Sequence, residues 1–322
     1  MQRVREIVAI ALLEDGVAPM SGHLLDTLGS PDDHYLLAEA ADRIVAVAAR
    51  HDQDPAELVV EPAARRRGIG RTMLAAVLDV HPRVWAHGDL TAARALAAST
   101  GLRPVRTLLQ MRRLLPVPSP TTPAPQGFRI RTFVRGQDEE QFLAVNARAF
   151  SWHPEQSRLD SAGLAIEMAQ DWFDPAGFFL AVDRDDRVLG FHWTKVHPVD
   201  PTPQAGSGSS PDGSDPGGSS SNTSSAAGSS PSGREPVEGS PVRAPASGLH
   251  GPVGEVFVLG VDPLSPVRGL GTPLTLVGLD HLAARGLRTV MLYVEGDNER
   301  ASALYRRLGF STVITDRVYS RG

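Results

Sequence analysis

Residues 254–310, GEVFVLGVDPLSPVRGLGTPLTLVGLDHLAARGLRTVMLYVEGDNERASALYRRLGF, decide the fold. The apolar run GEVFVLGV closes on Asp262-Pro263 and predicts a strand. A helix is expected over 272–285, opening just past Gly269 and Gly271 and stopping at Gly286. TVMLYVEG is the next strand, a helix over 298–308 ends before Gly309, and FSTVITDRVY supplies a last strand. Strands that alternate with helices in this way define an α/β fold of mixed α+β character.

The turn between the first strand and helix carries a chemical implication. Asp262-Pro263, a short basic stretch and Gly269-Leu270-Gly271 lead straight into a helix. Glycines let backbone approach a ligand closely, and the unpaired N–H groups and dipole of a first helical turn favour an anion. The same device occurs upstream as VEPAARRRGIGRTML, with Gly68 and Gly70 in the glycine places. Arg65, Arg66, Arg67 and Arg268 add positive charge to the two turns. Neither is a Walker loop or a dinucleotide fingerprint, because Gly-Lys-Ser/Thr and the third glycine with its ribose-binding acid are missing.

The repetition extends over the whole N-terminal half. YLLAEA and RIVAVAAR read as a hairpin, ELVVEP as a strand, then come a helix to Val80, the strand RVWAHG, a helix over 91–100 and LRPVRTLLQMRR. Aligning Pro62 with Pro263 sets Gly101 against Gly309. MQRVREIVAIALLEDG precedes this unit as a helix and has no cleavage-site pattern. The predicted organisation is an N-terminal domain, 1–113, a proline-rich linker, 114–126, and a C-terminal domain, 127–322. In the last, GFRIRTF is a strand, helices are expected over 138–150 and 158–172, and FFLAVD with RVLGFHWTKV forms a hairpin. From about Pro201 to Gly248 serine, glycine and proline dominate, so the segment cannot bury enough apolar surface to order itself and reads as a disordered insertion.

Composition narrows the function. Of 322 residues 41% are hydrophobic and 21% charged, ordinary globular usage, and the net charge of −5 argues against a nucleic-acid binder. Without a single cysteine the chain has no disulfide, thiolate metal site or cysteine nucleophile. No run reaches the roughly 18 apolar residues of a membrane span. A cytoplasmic monomer without metal or membrane partner is expected.

The glycine turn resembles the pyrophosphate loop of the GCN5-related N-acetyltransferases (GNAT), Arg/Gln-x-x-Gly-x-Gly/Ala. The first copy matches fully from Arg65 to Gly70, whereas the second has Pro266 in the Arg/Gln place. A second signature of that family, Asn-x-x-Ala-x-x-x-Tyr-x-x-x-Gly-Phe, stands complete as Asn298, Ala301, Tyr305, Gly309 and Phe310. The resemblance implies two tandem GNAT domains, each a mostly antiparallel twisted sheet flanked by helices, with acetyl-CoA as co-substrate. It also implies Tyr305 as the acid that protonates the departing thiolate. In the first copy Leu90 and Ala97 take the Asn and Tyr places, so that half is expected to bind cofactor at most.

Amine attack needs a base, and Glu255 is the leading candidate, a carboxylate within an apolar strand. Phe257 and Leu259 are expected on its side of the strand, with Val256 and Val258 on the other. Glu57 falls against Val258, three residues from Glu255, which predicts the opposite face for it.

Within GNAT, the whole chain is similar to the mycothiol synthase family of tandem acetyltransferases, which acetylate the cysteine amine of cysteinyl-glucosaminyl-inositol (Cys-GlcN-Ins). DGVAP (15–19), VWAHG (84–88), LLQMRR (108–113), HPEQ (153–156), WFDP (172–175), LGFHWTKVHP (189–198) and LYVEGDN (292–298) carry that likeness. It implies substrate contacts from Glu155, Lys195, Glu255 and Tyr293. For the cofactor it implies Leu259, Gly260 and Val261, then Pro266, Val267, Arg268, Gly269, Leu270, Gly271 and Thr272. Asn298, Glu299, Arg300, Ala301, Ser302 and Ala303 would close the pantetheine side. A second cofactor would lie on Leu58, Val59 and Val60 with Arg66, Arg67, Gly68, Ile69, Gly70 and Arg71. That family carries a glutamate shortly after DGVAP, whereas this chain reads Met20-Ser21-Gly22-His23. Two rival readings use the same residues: a tandem acetyltransferase for another amine, such as an aminoglycoside or a peptide N-terminus, and a non-catalytic acyl-CoA sensor.

Overall fold

The computed structural model describes residues 2–26, 29, 33–51, 54–116, 125–152, 158–198 and 251–321. The serine-rich insertion and the middle of the proline-rich linker lie outside them. The N-terminal half runs α1 (Gln2–Asp15), α2 (Gly22–Asp26), β1 (Asp33–Ala40), β2 (Arg43–His51), β3 (Ala56–Val60), α3 (Ile69–Val80), β4 (Arg83–Ala86), α4 (Thr91–Ser99) and β5 (Arg103–Leu114). The C-terminal half follows with β6 (Arg129–Thr132), α5 (Glu139–Ala149), α6 (Ser161–Met168), β7 (Phe178–Val182) and β8 (Val188–His197). It continues through β9 (Val253–Val261), α7 (Gly271–Ala284), β10 (Thr289–Glu295), α8 (Glu299–Arg307) and β11 (Ser311–Ser320).

The helix expected over 158–172 is shorter than its sequence pattern. Asp160 caps it by accepting from the Gly163 N–H, and it stops at Met168, before Asp174 caps a separate turn that starts at Pro175.

The strands form one eleven-stranded sheet in the order β1-β2-β3-β4-β11-β5-β10-β9-β8-β7-β6. Among the described strands only β3 with β4 and β9 with β10 run parallel; every other pair is antiparallel. The two halves are therefore fused through their last strands. β5 of the first half lies between β10 and β11, and β11 of the second lies between β4 and β5.

One face of the sheet carries α3, α4, α7 and α8. Met73 and Val77 of α3 meet Ala46, Ala48 and Ala56, while Leu279 and Leu282 of α7 and Tyr305 of α8 meet Met111, Val290 and Leu292. The other face is covered at its two ends. α1 packs Val4, Ile7 and Val8 on Val47, Ala49 and Val59, and α5 with α6 packs Phe142, Val145 and Leu164 on Phe178, Phe191 and Trp193. Between these two helical covers the same face presents polar side chains.

Candidate active site

Strands β9 and β10 pair at only two positions, Gly254 with Val290 and Glu255 with Met291, and then diverge. Their separation opens a cavity of about 350 Å³. Leu259, Gly260 and Val261 line one wall, the Val267–Thr272 turn forms its end, and Asn298, Arg300, Ala301, Leu304 and Arg307 of the α8 side face them. Gly269 has φ +80°, a value that favours glycine, and α7 begins at Gly271 without a side-chain cap, so its first N–H groups are free to meet an anion. The cleft can hold an extended, phosphate-bearing ligand.

Most residues expected at the cofactor therefore share one wall or another of this cavity. Pro266 lines a neighbouring depression with Arg148 and Asp262 instead, Ser302 is buried, and neither Glu299 nor Ala303 lines the cleft. Ala149, Phe150 and Trp152 do line it. Sequence reasoning missed them because α5 lies more than a hundred residues upstream and no local motif marks its end.

The N-terminal copy of the turn keeps Gly68 at φ +86°, but one of its three arginines is committed elsewhere. Arg65, expected to add positive charge, donates to both oxygens of Asp15 at 2.7 and 2.6 Å and to the Val60 carbonyl. Arg71 donates to Ser99. Leu58 and Val60 pack with α3 residues and Val59 with α1. Leu90 and Asn298 hold the same place, immediately before α4 and α8, and only Asn298 caps its helix, accepting from the Ala301 N–H at 3.0 Å.

On the polar face Glu255 is 7% exposed, and His197 Nε2 lies 2.6 Å from its Oε2. Lys195, opposite Glu255 in register, places Nζ 4.4 Å from the Trp172 ring centre and 5.1 Å from that of Phe257. Tyr293 is 40% exposed, and its hydroxyl accepts from Gln110 Nε2 at 3.0 Å. Burial and the nearby Glu255 charge push that phenol up to about 12. The row continues through Asp316, which accepts from the Gly88 N–H, to His87 and Glu57. His87 has a carboxylate on each side, Asp316 at 3.3 Å and Glu57 at 3.6 Å. Burial alone would lower this imidazole, but the two carboxylates raise it to about 10.

Two expectations about faces do not hold in the structure. Trp193 pairs with Val258 and Thr194 with Val256, so Phe257 is an extra residue, a β-bulge. Beyond the bulge the alternation inverts. Val256 and Leu259 pack towards α7 and α8, whereas Phe257 and Val258 pack with Trp193 on the side of Glu255. Glu57 consequently lies on the same face as Glu255, where it accepts from the Ser21 N–H at 2.6 Å.

Tyr305 is 6% exposed in the cluster with Phe310, and burial pushes its phenol up, so it stays protonated through the neutral range. Glu155 lies outside the described residues.

Residues 143–310 match the model of the Acetyltransferase (GNAT) family, and residues 31–100 match that of the Acetyltransferase (GNAT) domain. Each match ends before the strand that is exchanged between halves. The mycothiol acetyltransferase of Mycolicibacterium vanbaalenii is 42% identical over 99% of this chain and 93% of its own. That of Thermobispora bispora is 41% identical over 99% and 95%. Among solved structures, a GCN5-related N-acetyltransferase from Sphaerobacter thermophilus aligns with TM-score 0.62 at 20% identity, over 98% of this chain and 90% of that one. A tandem GNAT protein from the clavulanic acid biosynthesis pathway aligns with TM-score 0.56 at 17% identity, over 100% and 94%. The parallel strands that splay into a cleft, the glycine turn at its end and the likeness over nearly the full chain agree: the chain belongs to the GNAT acetyltransferases, within them to the mycothiol acetyltransferase family, and is an acetyl-CoA-dependent N-acetyltransferase.

Proposed function

We propose that the chain transfers the acetyl group of acetyl-CoA to the cysteine amine of Cys-GlcN-Ins, giving mycothiol. The observation that carries this reading is the position of Glu255. It is the buried carboxylate at the last paired step of β9 and β10, where the cofactor cleft opens beside the polar face.

In this reading Glu255 takes a proton from the substrate ammonium, directly or through one water, and frees the nitrogen lone pair. The neutral amine attacks the thioester carbonyl directly, and collapse of the tetrahedral intermediate expels the CoA thiolate. Tyr305 donates its hydroxyl proton to that thiolate, and the second proton that the nitrogen sheds as it becomes an amide leaves to solvent, from which the phenol is reprotonated. The turn from Val267 to Thr272 would hold the pyrophosphate, while β9 and Asn298 flank the pantetheine arm. A sugar–inositol needs several hydrogen-bonding groups, which Tyr293, Lys195 and Glu255 offer on the polar face and Glu155 supplies by family likeness. Cofactor binding by the N-terminal half belongs to the same reading, with Leu58 to Val60 and Arg66 to Arg71 as its cradle.

The test is CoA release from acetyl-CoA with Cys-GlcN-Ins, compared with free cysteine and with an aminoglycoside. Fastest release with Cys-GlcN-Ins is expected. Release no greater than background with that acceptor would sink the assignment.

A further inference from the structure

Glu255 has a supporting residue that no motif announces. His197 stands two positions beyond Lys195 on β8, on the same face as Glu255, and its Nε2 lies 2.6 Å from Glu255 Oε2. Both side chains are shielded, at 18% and 9% exposure. An ionised carboxylate only accepts hydrogen bonds, so the imidazole must carry its proton on Nε2 and donate it. Lys195, the cation that strand register would set against Glu255, is turned onto the Trp172 and Phe257 rings instead. Among the described residues His197 is the hydrogen-bond donor to this carboxylate.

Two other buried carboxylates, Asp138 and Asp262, are treated differently. Burial would raise Asp138 and Asp262, but Arg131 and Arg148 bind them through short contacts and hold both below the ordinary carboxylate range. A carboxylate clamped by a guanidinium has both oxygens occupied and is a poor proton acceptor. Among the described residues Glu255 has one oxygen tied, by His197, and no arginine on it.

We propose that His197 is the positioning residue for the base: its Nε2–H fixes Oε2 of Glu255 and thereby presents Oε1 to the substrate amine. The inference rests on Glu255 being the base. The step balances on that oxygen. The N–H bond of the ammonium breaks, an O–H bond forms at Oε1, the electron pair stays on nitrogen for the attack, and the proton later leaves Glu255 for water. His197 keeps its own proton throughout.

The experiment measures kcat and KM for acetyl-CoA and Cys-GlcN-Ins in the wild type and in His197→Phe, His197→Gln and Glu255→Gln, with melting temperatures as a check on folding. His197→Phe should lower kcat about tenfold, the worth of one hydrogen bond to a charged group, with both KM values little changed. His197→Gln should recover most of the loss, because its amide nitrogen can donate from the place of Nε2. A wild-type kcat in His197→Phe, or equal losses in the Phe and Gln variants, overturns the proposal. Should His197→Phe not fold, His197→Asn replaces it, since its amide stops one methylene short; equal rates for Asn and Gln then overturn the proposal. A wild-type rate in Glu255→Gln would reject the base itself, an outcome separate from the others.

Discussion

Tyr305 joins two roles in one side chain. It fills the core between α8 and β10, and it carries a hydroxyl that burial keeps protonated. Replacing it with Phe keeps the packing and removes only the hydroxyl, so with Tyr305 as the proposed acid kcat should fall about 100-fold or more, the usual scale for a general acid, while acetyl-CoA binding is unchanged. Stopped-flow rates and equilibrium binding would check this; an unaltered kcat would return Tyr305 to a purely structural part. His87 makes a prediction about stability. Its pKa is raised from 6.5 to about 10, so the stabilisation from its two carboxylates is fully present below 6.5 and is lost as pH rises through about 10. Wild type should therefore melt above His87→Gln near neutral pH, and the gap should close by about pH 10.5; a gap independent of pH would exclude the charge as its source. Tyr305 and Asn298 stand out as candidates in the sequence because they belong to a signature compressed into thirteen residues. His197 does not, because its meaning depends on Glu255, 58 positions away. Arg65 was misread for the same reason: its partner Asp15 is 50 positions distant.

Elements whose ends are set by local chemistry came out of the sequence nearly residue by residue. α7 starts at Gly271, beside the glycine turn, and closes just before Gly286 at φ +80°, because both signals act on adjacent residues. The β9 bulge left no such trace. Phe257 is an ordinary strand residue, and its displacement depends on how Trp193 and Thr194 pair with Val258 and Val256 across the hairpin. That single inserted residue inverts the faces beyond it, which is why alternation misplaced Leu259 and Glu57. Helix α7 also reaches the sheet more closely than its composition suggests. A Cβ at Gly278 would collide with the ring of His192, which is fully buried, is lowered to about 4 by burial, and bonds the Leu274 carbonyl through Nδ1 at 2.6 Å. The ring can yield only by breaking that hydrogen bond or moving β8. Gly278→Ala should therefore destabilise the protein by about 1–3 kcal/mol, although alanine is the better helix former. Denaturant titration decides the sign, and a stabilised variant would show that His192 has room to move.

At the scale of the molecule, the two tandem units form a fused object. Repeated motifs reveal that there are two units, but nothing local distinguishes a strand that pairs within its own half from one that crosses over. β5 bonds to β10 along the whole length of β10 and to β11 on its other edge, and β11 closes on β4. Residues 1–114 alone would lack β11 and leave β4 and β5 with unpaired inner edges; residues 125–322 alone would lack β5 and leave β10 and β11 in that state. Such edges expose backbone N–H and C=O groups and the apolar side chains behind them, including Met111, Val290 and Leu292 of the shared core. Ion pairs cross the same seam, Arg106 to Glu295 at 2.7 Å and Arg317 to Asp89 at 2.9 Å. Neither piece should fold by itself, and the two produced together should recover secondary structure and acetyl transfer. The intact chain should unfold in urea as one transition, coincident by far-ultraviolet circular dichroism and by the fluorescence of Trp85 in the first half and Trp172 and Trp193 in the second. An isolated piece 125–322 that is folded and active would show that β5 contributes only an edge. Two separated transitions would show that the exchange of strands does not couple the stabilities of the halves.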